Sequence, residues 1–164
     1  MERDFYRSTD FGLPHKERIK AYLASITADT AYDGFDKRLL QQVELLEVDL
    51  ELGQTVYVFS VQDFMSNKDG NLHGGAVATL MDNLSSTALV TVQKPGFWDS
   101  FGISRSLAII YHRTMPENAV LLIRCSVLAA GRQMATVKAV IEGQNGTIHA
   151  SCVHEKFAAP TPKL

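Results

Sequence analysis

Apolar positions along this chain change period twice. Between Pro14 and Ile26, Ile19, Leu23 and Ile26 recur at helical spacing behind a proline, which predicts an amphipathic helix. Residues 27–40 are mixed and read as mostly irregular. From Leu40 the period falls to two. Val43, Leu45 and Val48 are interspersed with acids, and the stretch 55–61 is β-branched and aromatic, so two strands are predicted. After a polar loop at 63–72, the stretch 74–92 carries Ala76, Leu80, Leu84 and Ala88 at helical spacing, with small and apolar residues nearly all round. That is the pattern of a buried helix whose backbone neighbours can approach closely. Beyond a turn-rich connection at 94–100, strand signals run over 103–112, 119–128, 133–141 and 147–157, and Asn145-Gly146 is a two-residue hairpin signal.

The order is helix, two strands, long buried helix, four strands. Consecutive strands at short spacing imply an α+β fold: one curved antiparallel sheet of about six strands wrapped round a single helix. Such a sheet leaves at least one long edge for a second subunit to cover. The division expected is an N-terminal helical extension over 1–40, the main domain over 41–157, and a loose tail over 158–164 that holds two prolines.

Bulk properties narrow the function. A chain of 164 residues fits one domain. A net charge of −2 gives no case for nucleic-acid or membrane-surface binding. Cys125 and Cys152 sit in strand-like runs and read as buried free thiols, with no zinc-site spacing. No window reaches a membrane span, and the opening Met1-Glu-Arg-Asp lacks the character of a signal or presequence. The expected place is intracellular, the cytoplasm first, with mitochondrion and peroxisome as alternatives.

The chemistry concentrates in residues 67–83, where a polar loop beginning at Asn67 runs through His73-Gly74-Gly75 into the helix carrying Asp82 and Asn83. Two glycines at a helix start bare N–H groups that can face a negatively charged oxygen. An acid inside an apolar stretch is costly unless it is exposed, paired or used. A backbone donor and a carboxylate are the minimum needed to direct water at an acyl carbonyl. No glycine-rich phosphate loop, serine-hydrolase elbow or metal-ligand spacing is present.

The run His73-Gly-Gly-Ala-Val-Ala-Thr-Leu-Met-Asp82, with Asn67 six residues upstream, resembles the hotdog-fold acyl-CoA thioesterases, of the phenylacetate-pathway and small mammalian types. Gly102-Ile-Ser104 followed by Tyr111 resembles that family's third strand, and Leu128-Ala-Ala-Gly131-Arg132 its turn near coenzyme A. The resemblance implies Asp82 as base or nucleophile, the Gly74 N–H and Asn67 at the thioester oxygen, Ser104 holding the water, and His73 steadying the loop. It further implies substrate contacts at Gly75, Asn83, Ser106, Tyr111, Gly131 and Arg132, with Lys138 and Lys156 as weaker candidates for a coenzyme A phosphate. Where the family often has Asp and Asn, this chain has Ser106 and Ala108. No metal or redox cofactor is expected, coenzyme A entering only as part of the substrate.

Helix geometry adds an independent constraint. Gly74 and Asp82 are eight residues apart, about 12 Å along one helix at ~1.5 Å per residue. Base and oxyanion donor must both lie within about 3 Å of the reacting atoms. One helix cannot supply both, so the expected partner of Asp82 is Gly74 of a second subunit, in a homodimer with two equivalent sites. A dimer of dimers is a family habit. From Ile103 to Tyr111 the odd residues are expected against the helix, with Ser104, Ser106 and Ala108 lining a ligand groove; Arg105 interrupts that odd set. The alternatives are a non-catalytic acyl-CoA or lipid-binding module, a hotdog hydratase or dehydratase pairing Asp with His, and a structural dimerisation domain.

Overall fold

The computed structural model describes residues 9–158. Helix α1 spans His15–Thr27 and the short α2 Lys37–Leu40. Strands β1 (Val43–Asp49) and β2 (Gln54–Ser60) precede α3 (Gly74–Thr87), which tightens into a 3-10 turn over Ala88–Thr91. Strands β3 (Ile103–Tyr111), β4 (Val120–Ala130), β5 (Met134–Gly143) and β6 (Ile148–Phe157) complete the chain. The predicted tail falls largely outside the described residues. All pairings are antiparallel, in the order β1-β2-β4-β5-β6-β3.

Period-two alternation turns one sheet face onto α3, and the register aligns that face in rows. Tyr57, Ile123, Ile141, Ala150 and Tyr111 form one row, while Cys125, Ala139, Cys152 and Ile109 form the next. Farther along come Val137, His154 and Leu107, and then Ala135, Lys156 and Ser104. The inward face thus passes from apolar to polar toward one end of β6. Register shifts at Leu45/Glu47, Ser104/Ser106, Val127/Ala129 and Ile141/Glu142 supply bends that let the sheet curl. Helix α3 answers with Ala76, Val77, Leu80, Met81 and Leu84, all buried. Ser85, Ser86 and Thr87 are buried too, so the helix is covered nearly all round, as its composition predicts.

Helix α1 presses Ile19, Tyr22, Leu23 and Ile26 into this same core. The Tyr22 ring meets Phe101 edge-on at 4.7 Å. Within 27–40, expected to be mostly irregular, α2 buries Leu39 and Leu40. Trp98 is buried in the 94–100 connection, and its Nε1 donates to the Gly131 carbonyl at 2.9 Å. Gly102 allows this packing: at φ +66, an added Cβ would lie 2.6 Å from the Phe157 carbonyl oxygen and 2.7 Å from the Trp98 ring. Both cysteines are free and buried. Burial pushes the Cys152 thiol up to about 11 and Cys125 higher still, so neither is a thiolate at neutral pH.

Candidate active site

The sequence places Asp82 one turn before the C-terminal end of α3, opposite the polar end of the inward face. Its carboxylate lies between burial and solvent, 43% exposed. Ser104 donates its hydroxyl proton to Asp82 Oδ1 at 2.5 Å. Sequence reading expected Ser104 to line a groove with Ser106 and Ala108. The bulge at Arg105 changes the phase of β3, so Ser104, Leu107, Ile109 and Tyr111 share the helix-facing side. Ser106 pairs with Glu155 and belongs to the outer face with Ala108, away from Asp82.

Two residues behind Asp82 were not foreseen there. His154 is 0% exposed, with Nε2 3.2 Å from Asp82 Oδ1. That contact lacks hydrogen-bond alignment, and Nδ1 shares a 2.6 Å hydrogen bond with Ser85 Oγ. Lys156 is 2% exposed, and its Nζ donates to Ser86 Oγ at 2.8 Å and Ser104 Oγ at 3.2 Å. Sequence reading offered Lys156, with Lys138, only as a weaker candidate for a coenzyme A phosphate, and a side chain this buried is not open to one. Burial first, then the Lys156 charge, lowers His154 to about 4, so the imidazole is neutral at pH 7. Burial lowers Lys156 to about 8, with Asp82 pulling the other way. A sequence signal existed: Ala150, Cys152, His154 and Lys156 follow one another at period two, in phase with the core.

At the other end of α3, His73 caps the helix by accepting the Gly75 N–H on Nδ1 at 2.9 Å. Gly74 is the first helical residue, and its N–H is one a helix cannot satisfy by itself. Tyr111 Oη donates to the Gly74 carbonyl at 3.0 Å, bracing that turn. Asn67 is exposed, and its Oδ1 accepts from the backbone N–H groups of Asp69 and Asn71, so the oxygen shapes the loop and Nδ2 is the donor end. Asn83 is engaged structurally, taking the Tyr22 hydroxyl and donating to the Thr79 carbonyl. Arg132 is exposed beside Gly131, on the turn that Trp98 pins.

An open groove runs along α3 past Asp82, walled by Tyr32, Phe35, Thr79, Asn83 and Leu107. A second lies over the His73 end and shares Phe35, with Arg38 stacked over Phe64 at 4.1 Å. The N-terminal extension thus contributes Tyr32 and Phe35 to the site surroundings. Among the described residues no group of His, Cys, Asp and Glu could hold a metal, and no helix is long and apolar enough to cross a membrane.

A carboxylate held by a serine hydroxyl, beside an apolar groove and one helix away from bare N–H groups, suits addition of water to an acyl carbonyl. Comparison with known proteins agrees. Residues 69–150, half of the chain, match the thioesterase superfamily. Mouse acyl-coenzyme A thioesterase 13 is 30% identical over 102 residues, covering 62% of this chain and 68% of the mouse protein. The crystal structure of zebrafish thioesterase superfamily member 2 superposes with a TM-score of 0.75 at 27% identity, covering 87% of this chain and 97% of that one. A thioesterase protein from Streptococcus pneumoniae, crystallised with coenzyme A, shares the fold at 22% identity and TM-score 0.65, over 75% of this chain and 90% of that one. Fold, site chemistry and sequence together place the chain in the thioesterase superfamily, as a hotdog-fold thioester hydrolase.

Proposed function

We propose that this protein hydrolyses acyl-CoA thioesters with Asp82 as general base, at sites shared between two copies of the chain. The carrying observation is the Asp82 carboxylate: Oδ1 is fixed by Ser104 and the side chain still opens to the groove. Oδ2 takes a proton from water as the water oxygen bonds to the thioester carbon. The carbonyl oxygen gathers negative charge and meets the Gly74 N–H and Asn67 Nδ2 of the other copy. Collapse breaks the C–S bond, and the proton held by Asp82 returns to the departing sulfur, giving a carboxylic acid and free coenzyme A. Ser104, expected to hold the water, acts instead on the base, because its proton is committed to Asp82.

The relatives' names support coenzyme A esters as the substrate class, and Arg132 is exposed where a phosphate could be met. The free edge of β3, with Ile103 58% and Tyr111 54% exposed, supports pairing with a second copy. A hydratase would use histidine as its acid, and His154 does stand beside Asp82. At 0% exposed it touches no substrate, so hydrolysis is the better reading.

The test is thiol release from short, medium, long and aromatic acyl-CoAs, with Asp82→Asn alongside. Turnover lost in the variant supports the reading; equal turnover in both proteins overturns it. Binding of coenzyme A esters with no turnover in either would make this a binding module.

A further inference from the structure

We propose that Lys156 is a positioning residue whose buried ammonium fixes the direction of the Ser104 proton, and so holds the Asp82 carboxylate for catalysis. The inference rests on Asp82 acting as the base. An ammonium has three donors and no acceptor. Its Nζ stands 3.2 Å from Ser104 Oγ and 2.8 Å from Ser86 Oγ, so both hydroxyls must accept from it. Ser104 has one proton, and with an ammonium on one side that proton can go only to Asp82 Oδ1. Ser86 is directed likewise, donating its own proton to the Asp82 carbonyl at 2.7 Å. The lysine therefore aligns both the carboxylate and the backbone of the same residue.

A buried lysine is costly and is retained only where it is compensated. Here the compensation comes from two hydroxyls and the Asp82 charge, and among the described residues no carboxylate is in direct contact. The titratable groups facing Lys156 are Asp82 on α3, and His154 and then Cys152 along β6; Ser104 faces it from β3 and Ala135 from β5. Arg105 turns away toward the Met134 sulfur. If Lys156 loses a proton, it gains a lone pair and Ser104 can donate to it, releasing Oδ1. The depressed lysine value of about 8 puts that change within reach of an assay. Because burial excludes substrate from Nζ, the effect falls on kcat rather than on KM.

The experiment follows kcat and KM from pH 6 to 9.5 with phenylacetyl-CoA and myristoyl-CoA, for the native protein, Lys156→Met, Lys156→Arg and Asp82→Asn. In parallel, 15N and 13C NMR follow Lys156 Nζ and Asp82 Cγ in the native protein. Native kcat should fall as pH rises through about 8. Lys156→Met should lose on the order of 10- to 100-fold in kcat, the size of one charge-assisted hydrogen bond, with KM within about twofold. Lys156→Arg keeps a permanent charge and should lose the alkaline fall. Nζ should titrate near 8, and Asp82 Cγ should move in the same step. A native profile flat to 9.5, or a titrating Nζ that leaves Asp82 Cγ still, overturns the proposal even if the variants do not fold. Full activity in Lys156→Met with an inactive Asp82→Asn overturns it while sparing the base; an active Asp82→Asn removes the base instead.

Discussion

The two ends of α3 are built on different principles. The first turn is a polar surface structure, in which Asn67 Oδ1 gathers loop N–H groups and His73 caps Gly75, leaving a backbone donor at Gly74. Around Asp82 the supporting atoms are buried side chains: His154, Lys156, Ser85 and Ser86. One end can polarise a carbonyl and carries no base; the other carries a base and no bare amide. Separated by about 12 Å of helix, they cannot meet on one thioester within a chain. The sheet edges make the same division. Edge strand β1 carries Glu44, Glu47 and Asp49, which discourage pairing, whereas β3 exposes Ile103, Ile110 and Tyr111 and carries no acid. Under the proposed mechanism each copy supplies one half of two sites, and the acid-free edge of β3 is the one suited to joining them.

The largest effect should come from the base end. Asp82→Asn keeps an oxygen to accept from Ser104 and removes the negative charge together with the capacity to take a proton. Steady-state kinetics should show kcat reduced by about 10³-fold or more, within the range for general bases. A single turnover in H₂¹⁸O sharpens the role. With Asp82 as base the label enters the acid product in the first turnover. A first product without label would make Asp82 the nucleophile.

At the donor end the informative change is Asn67→Asp rather than Asn67→Ala. Aspartate retains the oxygen that organises Asp69 and Asn71, and removes Nδ2. A loss on the order of 10²-fold in kcat with an intact loop is expected, as for other side-chain oxyanion donors. Unchanged kcat would reduce Asn67 to a turn residue. Mixing the two inactive variants then tests the division directly. Subunits reassorted by mild unfolding and refolding should recover about a quarter of native activity, because half the dimers are mixed and each mixed dimer holds one intact site. No recovery would place both halves within one chain.

The sequence made some of this legible and hid the rest for physical reasons. Asn67, His73, Gly74 and Asp82 lie on one loop-helix segment, so spacing alone locates them and fixes the distance between the two ends of α3. Buried α3 and the strands were readable because their periods are regular. Ser104 required the resemblance, and its placement off the assumed groove follows from a bulge that a strict alternation does not anticipate. Without its register, a charged residue on β6 reads as a surface group, as Lys156 did when offered to a coenzyme A phosphate; the phase of His154 and Lys156 with Ala150 and Cys152 carries the opposite message. Tyr32 and Phe35 come from a stretch with no periodic signal, and only tertiary packing brings them to the groove.

The smallest expected effect concerns stability, and it separates the two ends once more. At the first turn His73 is an exposed cap, whereas at the other end the buried His154 is held near 4 against an ordinary 6.5. Between those values the unfolded chain binds a proton that the folded chain refuses. Stability should therefore fall as pH drops from 6.5 to 4 and change no further on this account below 4. Lys156 acts in the alkaline window: held near 8 against 10.5, it makes stability rise as pH climbs from 8 to 10.5. Urea midpoints at pH 4, 5, 6.5, 8 and 9.5 would trace both slopes. His154→Gln should flatten the acid slope and leave the alkaline one, and Lys156→Met should do the reverse. An acid slope unchanged in His154→Gln would mean that another group is taking up the proton, and that the imidazole behind Asp82 is not the buried neutral base its surroundings make it.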